Sequence, residues 1–377
     1  MNKVYITNIS KFLPNDAISN DEMEDYLGKI NDTNSKARRI VLRNNGIQSR
    51  YYALTKTGEI THSNASLTRL AIEGLFSNKF QVNDIEVLSC GTSTPDQFLP
   101  SHAAMVHGLL GGKSMEINAA SGVCVSGMNA LKYGYMAIKS QMANNAVCTG
   151  SERVSTWMLA DKFEAEIENL KNLEEQPIIA FKKDFLRWML SDGAGAVLLE
   201  NEPNGAFNLE INWMESYSYA HQIEACMYAG GDKLEDGSIK PWSDYKTSEW
   251  LPNSIFSIKQ DVKLLDEHIL KKGVESMADA MQKHNITPND IDYFLPHVSS
   301  HYFVDGLYNE FANADLEIVK DKWFMNLARV GNVGSASIFL MLEELFHSGK
   351  LKKGDRIMCS VPESGRFSYA YAYLTVC

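Results

Sequence analysis

Two stretches of this chain, 206 positions apart, are written to one plan: "VNDIEVLSCGTSTPD" at 82–96 and "PNDIDYFLPHVSSHY" at 288–302. Each has Asn-Asp-Ile, then an apolar run, then a polar turn. A long period constrains a fold more than local propensity does, because duplicated units must bury related faces. The correspondence continues downstream. Cys124 stands 41 positions after Asn83, and Asn332 stands 43 after the matching Asn289. Both open apolar helices, over about 124–139 and about 334–347, the second ending near Gly349. The first carries Val125, Met128, Ala130, Leu131, Tyr135 and Ile138 with hardly a charge, a pattern that predicts burial nearly all round.

An apolar strand follows each helix, "NNAVCTGSE" (144–152) and "GDRIMCSVPES" (354–364). "GAGAVLLEN" and "AFNLEINWMES" then close the first unit, as "FSYAYAYLTVC" closes the last. Alternating strands and helices predict a layered α/β architecture in two halves, 1–206 and 207–377. Residues 216–258, rich in Gly, Asp, Tyr and Ser and without a period, read as a surface excursion or a cap over a site.

The formal charge of −11 argues against nucleic acid or an anionic membrane surface as the main partner. An acidic carrier would need a local basic patch. "SKARRIVLR" (Lys36, Arg38, Arg39, Arg43) and "FKKDFLRW" (Lys182, Lys183, Arg187) are the candidates, each otherwise an ordinary solvated helix face. The amino terminus lacks the apolar core of a signal peptide, and no run approaches the ~18 apolar residues of a membrane span, so a cytoplasmic protein is expected. Six cysteines, at 90, 124, 148, 226, 359 and 377, have no paired metal-type spacing and are expected as thiols.

"INAASGVCVSGMNAL" (117–131) sets Cys124 among glycines where a strand gives way to a helix. Unpaired amides and the dipole of a helix start favour thiolate, so Cys124 is expected to ionise more easily than a free cysteine. Its backbone N–H is also placed to donate to a carbonyl carried on its own sulfur. The competing reading is a small buried hydrophobe. Cys90, Cys148 and Cys359 lie in apolar strands and read as structural.

"FLPHVSSHYF" places His297 at the carboxyl end of a strand, where open α/β sheets present ligands. "VGNVGSAS" places Asn332 in a glycine-rich turn, equivalent to the cysteine position. Alone, these residues read as a loop histidine and a helix cap. If the halves pack about a pseudo-twofold axis, the three side chains meet.

With these motifs in order, the chain resembles the thiolase-fold condensing enzymes, and most of all β-ketoacyl-acyl-carrier-protein synthase III. "CVSGMNAL" is similar to the family's nucleophile motif, "LPHVSSHYF" to its histidine motif and "GNVGSAS" to its asparagine motif; "GTSTPDQFLPSHAA" and "SDGAGAVLLE" resemble two further landmarks. The resemblance spans essentially the whole chain. It implies a thiolase-like duplicated five-layer α-β-α-β-α fold, a homodimer and a Cys–His–Asn site without metal or redox cofactor. Cys124 would carry an acyl chain brought on acyl carrier protein or coenzyme A, while His297 and Asn332 would donate to the acceptor's thioester carbonyl.

The departures from the family pattern are specific. Val298, Ser299 and Ser300 replace the usual Gln-Ala-Asn, and Tyr302 stands where a carrier-docking base is usual. "RNNGIQSRYYA" resembles the family's Arg-Thr-Gly-Ile segment, implying a phosphate contact for Arg43, without the usual tryptophan upstream. The glycine-rich turn that helps form the family's acyl oxyanion hole reads "ESGRF" here, with Glu363, Ser364, Gly365 and Arg366. Glu363 is expected to pair with Arg366, the alternative being an added acid or base. These replacements resemble the branch linked to dialkylresorcinol and flexirubin-type pigments, in which two fatty-acyl-derived chains are joined and cyclised. The competing readings are a chain-initiating synthase with a linear product and a non-catalytic partner subunit.

Overall fold

The computed structural model describes residues 2–29, 38–162, 186–205 and 207–377. Nine strands form one mixed sheet: β1 (Tyr5–Phe12), β2 (Val87–Thr92), β3 (Glu116–Ser121), β4 (Asn145–Glu152), β5 (Gly193–Glu200), β6 (Leu209–Ser218), β7 (Tyr293–Pro296), β8 (Arg356–Glu363) and β9 (Ser368–Val376). Their order is β7-β8-β9-β6-β1-β5-β4-β2-β3. Outward from the β1–β6 junction the two sides match, β5 with β9, β4 with β8 and β2 with β7. Among the described residues β3 has as its counterpart only an isolated parallel bridge between Phe294 and Trp323.

One sequence expectation is corrected here. The strand from "AFNLEINWMES" does not close the first unit. β6 pairs with β9 along nearly its whole length, from Ser368↔Ser218 to Val376↔Leu209, and touches β1 through Tyr5↔Glu210 and Ile6↔Leu209 alone. It opens the second half as β1 opens the first.

The described helices of eight residues or more are α1 (Arg38–Asn45), α2 (Asn64–Glu73), α3 (His102–Leu110), α4 (Ser126–Lys139), α5 (Val262–Lys283), α6 (Tyr302–Asn313) and α7 (Ser337–His347). α4 and α7 form the middle layer. Met128, Leu131, Ile338, Phe339, Leu342 and Leu345 pack with Val87, Val197, Leu295, Ile357 and Ala372 in one core drawn from both halves. α2 and α3 cover the outside of the first half, and α5 with α6 the outside of the second. The helix starts approach so closely that a Cβ on Gly127 would fall 2.3 Å from the Ser335 carbonyl. That position requires glycine.

α4 is not buried all round. Asn129 is exposed and Met136 is 49% exposed. The helix also begins at Ser126 rather than at Cys124, which leaves the cysteine in the preceding turn. Residues 216–218 still belong to β6, and the excursion follows them. Its short strands pair Met227–Tyr228 with Lys259–Gln260 and Gly231–Lys233 with Ile239–Pro241. The Cys226 and Met227 amides, donating to the Gly365 carbonyl at 2.9 and 3.2 Å, tie it to the terminal turn. Among the described residues no helix is long and apolar enough to cross a membrane, and no His, Cys, Asp and Glu group could hold a metal ion.

Candidate active site

Between β3 and α4 the chain turns at Gly122, whose φ of +152° favours glycine. The Ser126 amide and hydroxyl close the turn on the Val123 carbonyl at 3.2 and 2.7 Å. Cys124 is buried inside it, 9% exposed. His297 follows β7, its amide donating to the Ser360 carbonyl at 2.8 Å as the parallel pairing with β8 ends. Asn332 is held by its amide to the Met189 carbonyl (3.0 Å) and its carbonyl to the Ser191 amide (2.9 Å). Its side-chain oxygen accepts from the Gly334 N–H at 3.0 Å, so the carboxamide plane is fixed.

Cys124, His297 and Asn332 line one cavity of about 620 Å³, together with Ser364. Glu363 and Gly365 stand outside its lining, Gly365 serving through its carbonyl. Arg43 is exposed on α1 and also lies outside it. The cavity wall is mostly apolar and carries no lysine or arginine among the described residues. Leu186, Met189, Trp157, Trp242 and Phe256 come from the first half and the cap; Leu265, Ile269, Phe303, Leu307 and Phe311 come from β-sheet-covering segments of the second half.

Electrostatics here differ from expectation. Burial, then the charges of Glu363 and Glu152, push the Cys124 thiol up from its ordinary value, against a smaller opposing effect of its own backbone N–H. The helix-start argument predicted the opposite direction, and desolvation outweighs it. Burial holds His297 down at about 4, so its imidazole is neutral near pH 7.

Glu363 does not pair with Arg366. Its Oε2 accepts from the Val123 and Val125 amides at 2.9 and 3.3 Å, while the exposed Arg366 donates to the Ile223 carbonyl. The second basic patch also changes character: Arg187 is buried and donates to the Met158 and Leu27 carbonyls. Lys36, Lys182 and Lys183 lie outside the described residues.

The residue that sequence reasoning missed is Glu152, which lines the cavity and is 1% exposed. Four groups donate to it: the Ser93 amide and hydroxyl, the Thr94 hydroxyl and the Ser335 amide. The signal was present. Setting "NNAVCTGSE" on "GDRIMCSVPES", cysteine on cysteine, puts Glu152 opposite Glu363. Each carboxylate ends a strand of one half and accepts from a helix-start turn of the other.

The chain is similar to known proteins over its whole length. Residues 37–204 match the family described as beta-ketoacyl synthase, N-terminal domain. Residues 281–372 match 3-oxoacyl-[acyl-carrier-protein] synthase III C terminal. A β-ketoacyl-[acyl-carrier-protein] synthase III of Clostridium novyi (strain NT) is 26% identical over 361 residues, covering 95% of this chain and 94% of that protein. Among solved structures, the tetronic acid condensing enzyme AbyA1 has a TM-score of 0.77 at 18% identity, covering 99% of both chains. Xanthomonas campestris OleA, solved with lauric acid and lauroyl-CoA, has a TM-score of 0.73 at 16% identity and the same coverage. The fold is thiolase-like, and with the synthase matches it defines the class, acyltransferases that condense acyl groups. Within that class the chain belongs to the β-ketoacyl-acyl-carrier-protein synthase III family.

Proposed function

We propose that Cys124 carries the acyl group and that His297 and Asn332 donate to the acceptor's thioester carbonyl during a Claisen-type condensation. The observation that carries this reading is the opening of all three onto one mostly apolar cavity. Thiol attack on an acyl thioester gives an acyl-enzyme and releases the donor thiol, splitting carbon–carbon bond formation into two easier steps. The fixed Asn332 carboxamide then faces charge that develops on the acceptor oxygen, where a positioned donor is worth about 3–4 kcal/mol. Neutral His297 has one ring N–H for the same task.

The enzyme joins two fatty-acyl-derived β-keto thioester chains and cyclises them towards a 1,3-cyclohexanedione, the dialkylresorcinol precursor. Supporting this are the two apolar wall sets, from the first half with the cap and from the second half, around one sulfur. The second reading is chain initiation with malonyl carrier protein and a linear β-ketoacyl product; the names of the curated relatives favour it. Ser364 lies on the cavity wall, while Glu363 holds the amides on either side of Cys124 and the Gly365 carbonyl holds the cap. Substrates arrive on acyl carrier protein or coenzyme A, with Arg43 on the outer surface as the candidate phosphate contact. No metal or redox cofactor takes part.

A homodimer completes the molecule. β3 is a largely exposed edge strand, and Ile117, Leu109 and Met136 on it and its flanking helices are 39%, 48% and 49% exposed. An unpaired apolar edge of this kind favours pairing with a second copy. Incubation with pairs of β-ketoacyl and acyl thioesters, on carrier protein and on coenzyme A, followed by product mass spectrometry, tests the reading. A ring product supports the two-chain reaction, a linear β-ketoacyl product the second reading, and the absence of any carbon–carbon product overturns both.

A further inference from the structure

Glu152 and Glu363 occupy equivalent strand ends, yet their surroundings differ. Glu152 spreads four donors over both oxygens. Glu363, 8% exposed, takes two amides on Oε2 alone, and Oε1 has no hydrogen bond among the described residues. Those two amides belong to the residues on either side of Cys124. Among the described residues no cation offsets the carboxylate: Arg366 turns to the Ile223 carbonyl, and the cavity lining holds no lysine or arginine. Burial pushes the Glu363 carboxyl up from its ordinary value, against the opposing effect of the two amides, and in the alkaline range where a raised thiol titrates it is ionised. The remaining titratable groups on that lining are Glu152, His297, Tyr228 and Tyr369.

We propose that Glu363 is the positioning residue of Cys124, fixing its turn through two amides and, by its charge, making the sulfur a reluctant leaving group once acylated. The inference rests on reading Cys124 as the acyl carrier. At rest the same charge favours thiol over thiolate, in line with the direction of the Cys124 shift. During acylation the bond from Cys124 sulfur to the acyl carbon forms as the donor's carbon–sulfur bond breaks, and the thiol proton ends on the departing donor thiol. A more basic thiolate departs more slowly. Water and the carbon nucleophile both expel this thiolate, so the acyl-enzyme persists until an acceptor is bound where His297 and Asn332 stabilise its charge, a help that stray water lacks.

Glu363→Gln keeps an acceptor for both amides and removes the charge. In alkylation with iodoacetamide, followed by intact mass across a pH series, its Cys124 midpoint is expected about one pH unit below wild type, or roughly tenfold faster reaction at a fixed lower pH. An unchanged or higher midpoint overturns the inference. Wild type gives an independent readout should that variant fail to fold: its Cys124 midpoint is expected above the ordinary thiol value of 9.0, and one at or below that value overturns the inference. Glu363→Asp, which keeps the charge, is expected to restore the wild-type midpoint, and a midpoint matching the Gln variant overturns it too. Acylated Glu363→Gln is expected to hydrolyse several-fold faster than acylated wild type, and equal lifetimes count against the leaving-group role. Alkylation needs no condensation. A lowered midpoint in a protein that no thioester acylates sinks the proposed function alone; normal acylation with an unmoved midpoint sinks this inference alone.

Discussion

The Cys124 and Asn332 turns are copies of one structural idea put to different uses. Each begins a helix of the middle layer, and each is braced by a glutamate from the end of a strand in the opposite half. The Asn332 side is rigid: its brace, Glu152, is fully partnered, and its backbone is tied to residues 189–191. The Cys124 side has a less fully partnered brace: one oxygen of Glu363, beside the Ser126 closure on the Val123 carbonyl and a glycine at φ +152°. On matching scaffolds, one turn holds a fixed carboxamide and the other lies beside a carboxylate with a single partnered oxygen.

The sharpest way to break this comparison is to exchange the turn residues. Cys124→Ala is expected to lower condensation by at least about 10³-fold while Asn332→Ala lowers it about 10²–10³-fold, because only the first removes the covalent step. Turnover rates with one thioester pair check this, and equal losses together with no acyl-enzyme in Asn332→Ala would erase the distinction. The braces come next. Glu152→Ala orphans four donors and is expected to cost about 3 kcal/mol in urea unfolding, against about 1–2 kcal/mol for Glu363→Ala with two. The reverse order would place the rigid side at Cys124.

The smallest expected effect is a pH slope. His297 is held at about 4 in the folded protein against ~6.5 unfolded, so the unfolded chain binds the extra proton between those values. Stability therefore falls as pH drops from about 6.5 to 4, by roughly 1.4 kcal/mol per pH unit from this histidine. His297→Asn is expected to flatten the urea-midpoint profile in that window, and an unchanged slope would mean that His297 is not buried neutral.

Much of the fold was legible because the 206-residue offset is carried by strands: β2 begins at Val87 and β7 at Tyr293. The assignment of β6 was not, since its alternation announces a half-buried strand without naming the neighbour. Cys124, His297 and Asn332 could be read from motif and placement, and the structure puts all three on one cavity. The ionisation of Cys124 could not, because the helix start is local whereas Glu363 arrives from 239 positions away in sequence. Arg366 stood three residues from Glu363 and looked like its partner, but the turn after β8 sends one side chain inward and the other to the surface. Arg187 misled similarly, since composition marks a basic residue without showing that backbone carbonyls will surround it.

The most direct test of the central claim is intact-mass and peptide mapping after exposure to fatty-acyl thioesters. The account predicts one acyl group, on the peptide containing Cys124, absent from Cys124→Ala and accumulating in Asn332→Ala when an acceptor is supplied. An acyl group on another cysteine, or none from any donor on carrier protein or coenzyme A, would contradict it.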